Sequence, residues 1–311
     1  MTTFVSFNIN GIRARIHQLQ MIKNTLDADI IGLQETKVQD KDFPSSLVQN
    51  LGYQVTYFGQ KSHYGVAILS KTAPIFVQKG FLSDGDDDQK RLIHARFDIH
   101  GRQIDVINGY FPQGEHQNHQ IKYPMKRDFY AKLISYIDTL KQQGREIMVM
   151  GDMNVAPSDN DVGIGSHVAK RWQDNGICSF LPEERLWYQA LLDTDLTDTY
   201  RQHYPDTQEY SWFDYRSRGF DDNPKRGLRI DHILCTPALA KNCLSAGIDY
   251  TCALGSNNKA YCWGNGGVGQ LGNNSTSNSS TPVAVAQGAI PTGVNLTQIS
   301  VGFGHTCALG S

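Results

Sequence analysis

Four short apolar runs in this sequence each end on side chains able to bind a cation or move a proton. Phe4-Val5-Ser6-Phe7 runs into Asn8, and Ile30-Ile31-Gly32-Leu33 into Gln34-Glu35. Ile104-Asp105-Val106-Ile107 runs into Asn108-Gly109-Tyr110, and Ile147-Met148-Val149-Met150 into Gly151-Asp152-Met153-Asn154. The carboxylates of Glu35 and Asp152, with the carboxamides of Asn8 and Asn154, make an oxygen-rich donor set suited to Mg²⁺, with Mn²⁺ as the substitute. No Cys/His cluster points to zinc. Magnesium at a phosphodiester polarises the phosphoryl oxygen and neutralises developing charge. A single strand-end Asp is more often a turn former. The signal is that several such residues occur in order.

Those positions require particular elements beneath them. Short runs rich in Ile, Val and Phe read as buried strands. A helix is predicted from near Pro124, with apolar residues at Phe129, Leu133, Ile137 and Leu140 and a stop at Gly144. Strands interleaved with helices imply a layered α/β domain. Side chains two apart on an extended segment face the same way, which predicts that Asp152 and Asn154, and likewise Asn8 and Asn10, share one site.

The whole chain bounds these readings. Its 311 residues suffice for one large domain and a smaller piece. With 40% hydrophobic and 19% charged residues, the composition is that of a soluble globular protein. No apolar run is long enough to span a bilayer. Met1-Thr2-Thr3 enters a strand-like run without a basic segment and a long apolar stretch. A cytoplasmic location, a monomer and no membrane partner are therefore expected. A net charge of −2 argues against a generic coat for polyanions, yet leaves room for a local basic rim.

Near residue 250 the sequence changes character. From Thr251 to Ser311 the only Asp, Glu, Lys or Arg is Lys259, and Gly, Ser, Asn and Thr abound. Tyr250-Thr251-Cys252-Ala253-Leu254-Gly255-Ser256 returns as His305-Thr306-Cys307-Ala308-Leu309-Gly310-Ser311, an interval close to that of a propeller blade. Tyr261-Cys262-Trp263-Gly264, Gly269-Gln270-Leu271-Gly272 and Thr281-Pro282-Val283 lie between the copies. This stretch resembles the regulator-of-chromosome-condensation repeat, in a variant whose paired cysteines suit an oxidising compartment. A stable array takes roughly three or more repeats, so the tail is read as an incomplete repeat over 250–311. The bland alternative is a disordered polar linker.

The upstream blocks resemble bacterial exodeoxyribonuclease III. They are Ser6-Phe7-Asn8-Ile9-Asn10-Gly11, Leu33-Gln34-Glu35-Thr36-Lys37, Asn108-Gly109-Tyr110-Phe111-Pro112-Gln113-Gly114 and Gly151-Asp152-Met153-Asn154. Further on come Cys178-Ser179-Phe180-Leu181-Pro182-Glu183-Glu184-Arg185, Ser211-Trp212-Phe213-Asp214-Tyr215-Arg216 and Gly227-Leu228-Arg229-Ile230-Asp231. The likeness covers residues 1–249. It implies a four-layer αββα sandwich of the endonuclease/exonuclease/phosphatase superfamily, followed here by an all-β, blade-like segment. It also implies a Mg²⁺-dependent hydrolase acting on double-stranded DNA: a 3′-to-5′ exonuclease, a 3′-phosphatase and an endonuclease at abasic sites. Glu35 would hold the metal with Asn8 in support, and Asp152 would orient or deprotonate the attacking water. Asn154 would hold the phosphate, Tyr110 would contact it, and Asp231 would orient a catalytic histidine. Trp212 and Phe213 resemble aromatics of the abasic-sugar pocket, whose plain reading is core packing. Arg91 and Lys122 are candidate contacts to the DNA backbone, whose plain reading is solvated charge.

The likeness fails in one place. The family closes on a strand carrying Ser-Asp-His-Ala-Pro, and this sequence contains no such block. That leaves Asp231 without its histidine. His232 follows Asp231 on a strand and should face the other way, while His305 lies in the repeat. Ser245-Ala246-Gly247-Ile248-Asp249-Tyr250-Thr251-Cys252 aligns with Ser300-Val301-Gly302-Phe303-Gly304-His305-Thr306-Cys307, which reads as two unrelated genes joined at a short similarity. The expectation is a nuclease with impaired turnover; the alternative is a dead chimera that at most binds DNA. A phosphatase or sphingomyelinase relative shares the carboxylate logic, but the Trp212–Arg216 and Gly109–Gly114 blocks favour DNA. A propeller-type interaction protein is disfavoured by the single blade.

Overall fold

The computed structural model describes residues 2–213 and 226–248. In the tail it describes 251–254, 260–264, 274–275, 279–284, 286, 296–302 and 305–310. Two compact units are present. The first comprises Met1–Ile16, Ala28–Trp212 and Leu228–Ala246; the second comprises His17–Asp27, Phe213–Gly227 and Gly247–Ser311.

In chain order the elements begin with β1 (Phe4–Asn8), α1 (Ile12–Leu26), β2 (Ile30–Gln34), α2 (Ser45–Asn50), β3 (Gln54–Phe58) and β4 (Val66–Ser70). There follow β5 (Phe76–Lys79), β6 (Leu92–Ile99), β7 (Arg102–Tyr110), α3 (Lys122–Gln142) and β8 (Glu146–Asp152). Next are α4 (Ser166–Asp174), α5 (Pro182–Leu192), β9 (Thr197–Asp198), α6 (Thr199–His203), β10 (Trp212–Phe213), β11 (Gly227–Leu228), β12 (Asp231–Cys235) and α7 (Pro237–Ala240). The apolar runs predicted as strands are β1, β2, β7 and β8, and the predicted helix is α3.

Two sheets carry the first unit, one in the order β1-β2-β4-β3 and one in the order β5-β6-β7-β8-β12-β9. Strand periodicity divides each strand's side chains between two layers. Ile93, Ala95, Phe97, Ile104, Val106 and Met150 meet Ile30, Val66 and Ile68 between the sheets. Their neighbours Leu92, Ile107, Ile147 and Val149 pack outward against Phe129, Leu133, Ile137 and Leu140 of α3 and Tyr188 and Leu191 of α5. The result is the face-to-face sandwich flanked by helices that the sequence implied.

Polar groups also tie the sheets together. Asn108 on β7 donates to the carbonyls of Leu33 (3.0 Å) and Ala67 (2.9 Å) and accepts from Gln34 at 2.6 Å. Gly32 leaves the room for this crossing, since a Cβ there would lie 2.7 Å from Asn108 Oδ1. Sheet order also leaves β1 at an edge. All five of its residues are only half-buried, whereas every residue of β2 and β4 is buried.

In the tail, β13 (Thr251–Leu254), β14 (Ala260–Gly264) and β15 (Ser279–Ala284) form a three-stranded sheet, and β16 (Leu296–Gly302) pairs with β17 (His305–Gly310). Among the described residues no helix is long and apolar enough to cross a membrane.

Gly32→Ala should lower stability by about 1–3 kcal/mol, as overpacking in a filled interior does. Urea unfolding checks this: the midpoint should fall with its slope unchanged, and an unmoved midpoint would show that the Asn108 crossing tolerates a methyl group.

Candidate active site

β1 and β2 run parallel and end together, with Asn8 paired in register to Gln34. β7 and β8 also run parallel, and Tyr110 pairs with Asp152 at their ends. β12 returns antiparallel beside β8, which sets Asp231 directly opposite Asp152. Strand ends from both sheets therefore supply one cluster.

At its centre the Asn8 side-chain amide donates to Glu35 Oε1 (3.0 Å) and to Asp152 Oδ2 (2.9 Å). Glu35 also receives Lys37 Nζ at 2.7 Å. Burial would raise the Glu35 carboxyl, but the Asn8 bond and the Lys37 ammonium outweigh it and leave the group below its usual range. Asp152 is the opposite case. Burial, reinforced by the Asp231 and Glu35 charges, pushes it well above the ordinary carboxylate value despite the bonds from Asn8 and the Asn154 amide. Burial likewise raises Asp231, to about 6, even though Ser211 bonds to it. Tyr110 is raised as well, by burial and then by the charges of Glu35 and Asp152, so it stays a phenol.

Backbone geometry at the site departs from the strand pattern. Glu35 (φ 54°) and Asn154 (φ 55°) both adopt left-handed conformations, which non-glycine residues enter only where surroundings enforce them. Asn154 is held by its backbone amide to Asp152 Oδ1 (3.1 Å) and by its side-chain amide to the Phe111 carbonyl (3.0 Å). Its own carbonyl accepts from Lys126 Nζ at 2.8 Å. Lys126 forms a fully buried ion pair with Glu184, which in turn accepts from the Ser179 (2.7 Å) and Leu181 (2.9 Å) amides at the start of α5.

The predicted residues divide accordingly. Asn8, Glu35, Tyr110, Asp152, Asn154 and Asp231 converge. Asn10 does not reach the site by strand alternation, because β1 ends at Asn8; it adjoins the cluster through Asn8 and Lys37 instead. Asn10 turns left-handed (φ 46°), its amide donates to Asn8 Oδ1 at 3.1 Å, and its side chain accepts from Lys37. Arg91 is 8% exposed and engaged by the protein. It donates to the Tyr110 carbonyl (3.0 Å) and stacks over the rings of Tyr64 (4.2 Å) and Tyr110 (4.6 Å). Lys122 is half exposed and paired with Glu115. Trp212 packs against the cluster of Ala156, Ile164, Phe180, Leu228 and Ile230, and Phe213 is half-buried. Asp214, Tyr215 and Arg216 lie outside the described residues.

His232 faces away from Asp152. It is buried, with Nε2 2.8 Å from the Val155 carbonyl and Nδ1 3.3 Å from the Tyr188 hydroxyl. It belongs to a network in which Arg229 bonds Asp161 (2.6 Å) and Asp198 (2.8 Å). Sequence reasoning missed Lys37, Tyr64 and the Lys126–Glu184 pair. Lys126 had a readable signal: it occupies the apolar stripe of α3 with Phe129, Tyr130 and Leu133, where a lysine needs a buried partner.

Among the described residues no group of three or more His, Cys, Asp and Glu side chains forms a metal cluster. Mg²⁺ requires less, because it keeps several waters and commonly takes one or two carboxylates. Glu35 and Asp152 are all-oxygen donors, and Asp152 has no cation paired to it among the described residues, which fits that demand.

Comparison with known proteins gives the lineage. The model of the Endonuclease/Exonuclease/phosphatase family matches residues 5–260, and that of the Regulator of chromosome condensation (RCC1) repeat matches 257–309. Exodeoxyribonuclease III of Haemophilus influenzae is 52% identical over 246 residues, 79% of this chain and 91% of that protein. An exodeoxyribonuclease of Bacillus subtilis is 31% identical over 249 residues, 78% of this chain and 92% of that protein. Among solved structures, a 3′-5′ exonuclease from Neisseria meningitidis superposes with a TM-score of 0.69 at 34% identity, over 80% of this chain and 91% of that one. An AP endonuclease from Archaeoglobus fulgidus gives 0.69 at 34% identity, over 82% and 92%. The chain belongs to the endonuclease/exonuclease/phosphatase family, as a nuclease of the exodeoxyribonuclease III and AP endonuclease type, and carries sequence of the chromosome-condensation-regulator repeat behind it.

Proposed function

We propose that residues 1–249 form a Mg²⁺-dependent DNA-repair nuclease, with Mn²⁺ as a substitute, acting on double-stranded DNA at abasic sites and 3′ ends. Its activities would be 3′-to-5′ exonuclease, 3′-phosphatase and abasic-site endonuclease, with turnover impaired by the absence of the family's closing strand. The observation that carries this reading is the Asn8-bridged pair of Glu35 and Asp152 at facing strand ends. Residues 250–311 are a separate, incomplete repeat, and the protein acts as a monomer in the cytoplasm.

Glu35 and Asp152, with Asn8 and Asn154 beside them, would hold the metal, whose role when bound is to neutralise charge on the phosphate. Asp152, with its raised affinity for protons, suits a base that takes a proton from the attacking water. The Tyr110 hydroxyl, kept protonated, can donate to a phosphate oxygen. One Asn154 amide hydrogen is spent on the Phe111 carbonyl, leaving the other for substrate. Arg91 would serve DNA by bracing Tyr110, while Lys122, Trp212 and Phe213 are contacts for the backbone and the abasic sugar.

A specific observation supports the impaired form. Among the described residues the only side chain bonded to Asp231 is Ser211, and His232 is committed to the opposite face. Losing one positioned general acid or base costs about a hundred- to ten-thousand-fold in rate.

Cleavage of a duplex oligonucleotide with one abasic-site analogue tests this directly. A variant whose residues 250–311 are replaced by the family's closing strand should cut at least about a hundredfold faster than the natural chain; equal rates would refute the impairment.

Cation binding has its own signature. Folded Asp152 and Asp231 bind protons more tightly than the unfolded chain does, so without metal their stability contribution declines as pH rises, for Asp231 through about 6. Magnesium should therefore raise the melting temperature more at pH 7.5 than at pH 5, and Glu35→Gln should remove the difference. A shift of equal size at both pH values would place the ion elsewhere.

For Arg91, replacement by lysine keeps the charge but loses the planar stack on two rings. In the repaired variant Arg91→Lys should lower kcat while leaving the salt dependence of DNA binding unchanged. A salt slope smaller by about one would instead mark a direct phosphate contact.

A further inference from the structure

The tail's cysteines occupy related places in its ladders. β13 and β14 are antiparallel, and their register pairs Thr251 with Trp263, Cys252 with Cys262, Ala253 with Tyr261 and Leu254 with Ala260. Cys252 and Cys262 are thus directly opposed. On its other side Cys262 pairs with Val283 of β15. Cys307 recurs at the Cys252 position of the repeat, but its partner across the β16–β17 ladder is Ser300.

Directly opposed residues of an antiparallel pair have Cα atoms about 4.5–5.5 Å apart, depending on the ladder position. A disulfide requires about 4.4–6.8 Å. Both ladder positions fall inside that window, so the backbone can accept the bond where it stands. The upstream cysteines differ. Cys178 and Cys235 are buried free thiols, and burial pushes both up to about 12, which leaves little thiolate to react.

We propose that under oxidising conditions Cys252 and Cys262 form a cross-strand disulfide that closes β13 onto β14, the pair staying a dithiol in a reducing cytoplasm. A solitary blade leaves its faces unburied, and small units with little core are where cross-links contribute most. Closing a ring of about ten residues favours the paired strands by roughly a hundredfold over the open chain. The bond forms by exchange with a low-molecular-weight disulfide such as oxidised glutathione. One cysteine thiolate attacks a sulfur of that disulfide and releases the first thiol. The second cysteine thiolate then attacks the mixed disulfide and releases the other. The protein pair loses two protons and two electrons, and the oxidant leaves as two thiols.

The test uses the full chain, equilibrated with oxidised glutathione, then denatured and alkylated with iodoacetamide before intact-mass measurement. Two of the six cysteines should escape alkylation. Digestion with trypsin, which cuts after Lys259, and chymotrypsin, which cuts after Tyr250, should give Thr251–Lys259 joined to the fragment holding Cys262. Cys243→Ser and Cys307→Ser should keep the bond; Cys252→Ser should lose it without Cys307 taking its place. The same oxidation in denaturant should give mixed pairings. Six alkylated cysteines, a bond to Cys243 or Cys307, a linked dimer, or the denaturant mixture from the native sample would each overturn the proposal.

Discussion

Asn8 holds two carboxylates of opposite protonation tendency with a single neutral amide, and the site's arrangement depends on that bridge. Its two hydrogens reach Glu35 on its own sheet and Asp152 on the facing sheet, so the gap between the sheets is set where charge must gather. Lys37 neutralises only Glu35. Buried Asp152 and half-buried Asp231 remain a like-charge pair, an arrangement that resists ionisation unless a cation arrives. The fold thus leaves a demand for positive charge at the strand ends. The left-handed backbone of Glu35 and Asn154 persists because surrounding groups fix it, Asn8 and Lys37 at Glu35, and Asp152, the Phe111 carbonyl and Lys126 at Asn154.

The bridge stands on the least protected strand of its sheet. Among the described residues β1 pairs only with β2 and is half-buried along its length, while β2 behind it is fully buried. Edge strands open more readily than central ones, because fewer buried contacts oppose their release. An uncharged edge reading Phe-Val-Ser-Phe-Asn also lacks the lysines and prolines that usually keep foreign strands away. The rigidity of the strand that holds Asn8 therefore rests on its pairing with β2.

The layers and the cluster at the strand ends were legible because they depend on short-range pattern. Four apolar runs became β1, β2, β7 and β8, and the α3 stripe gave a helix in the expected place. What pattern could not give was anything decided across the fold. Arg91 reads as a solvated cation in sequence, yet two tyrosine rings distant from one another in the chain enclose it. Asn10 was assigned by strand alternation just past the point where the strand stops. Asp161 and Asp198 look locally like cap residues, accepting from Ser158 and from the Tyr200 and Arg201 amides, while the buried Arg229 that joins them lies 68 and 31 residues along the chain.

Binding and turnover need not fall together in such a site. Under the proposed reading Asn8, Glu35, Tyr110, Asp152 and Asn154, at or just past the ends of β1, β2, β7 and β8, meet the phosphate and the cation. The missing block would add, as the resemblance implies, a metal-supporting Asp and a phosphate-contacting His beside Asp231. A nuclease that keeps the first set and loses the second retains part of its hold on the substrate and loses interactions made in the transition state, so kcat falls further than ground-state binding. The charge distribution of the chain fits that separation. Nearly all ionised side chains precede residue 250, so the polar tail adds almost nothing to the field that DNA would meet. Whatever the tail contributes, its route is through its own strands and cysteines and not through electrostatic capture of the substrate.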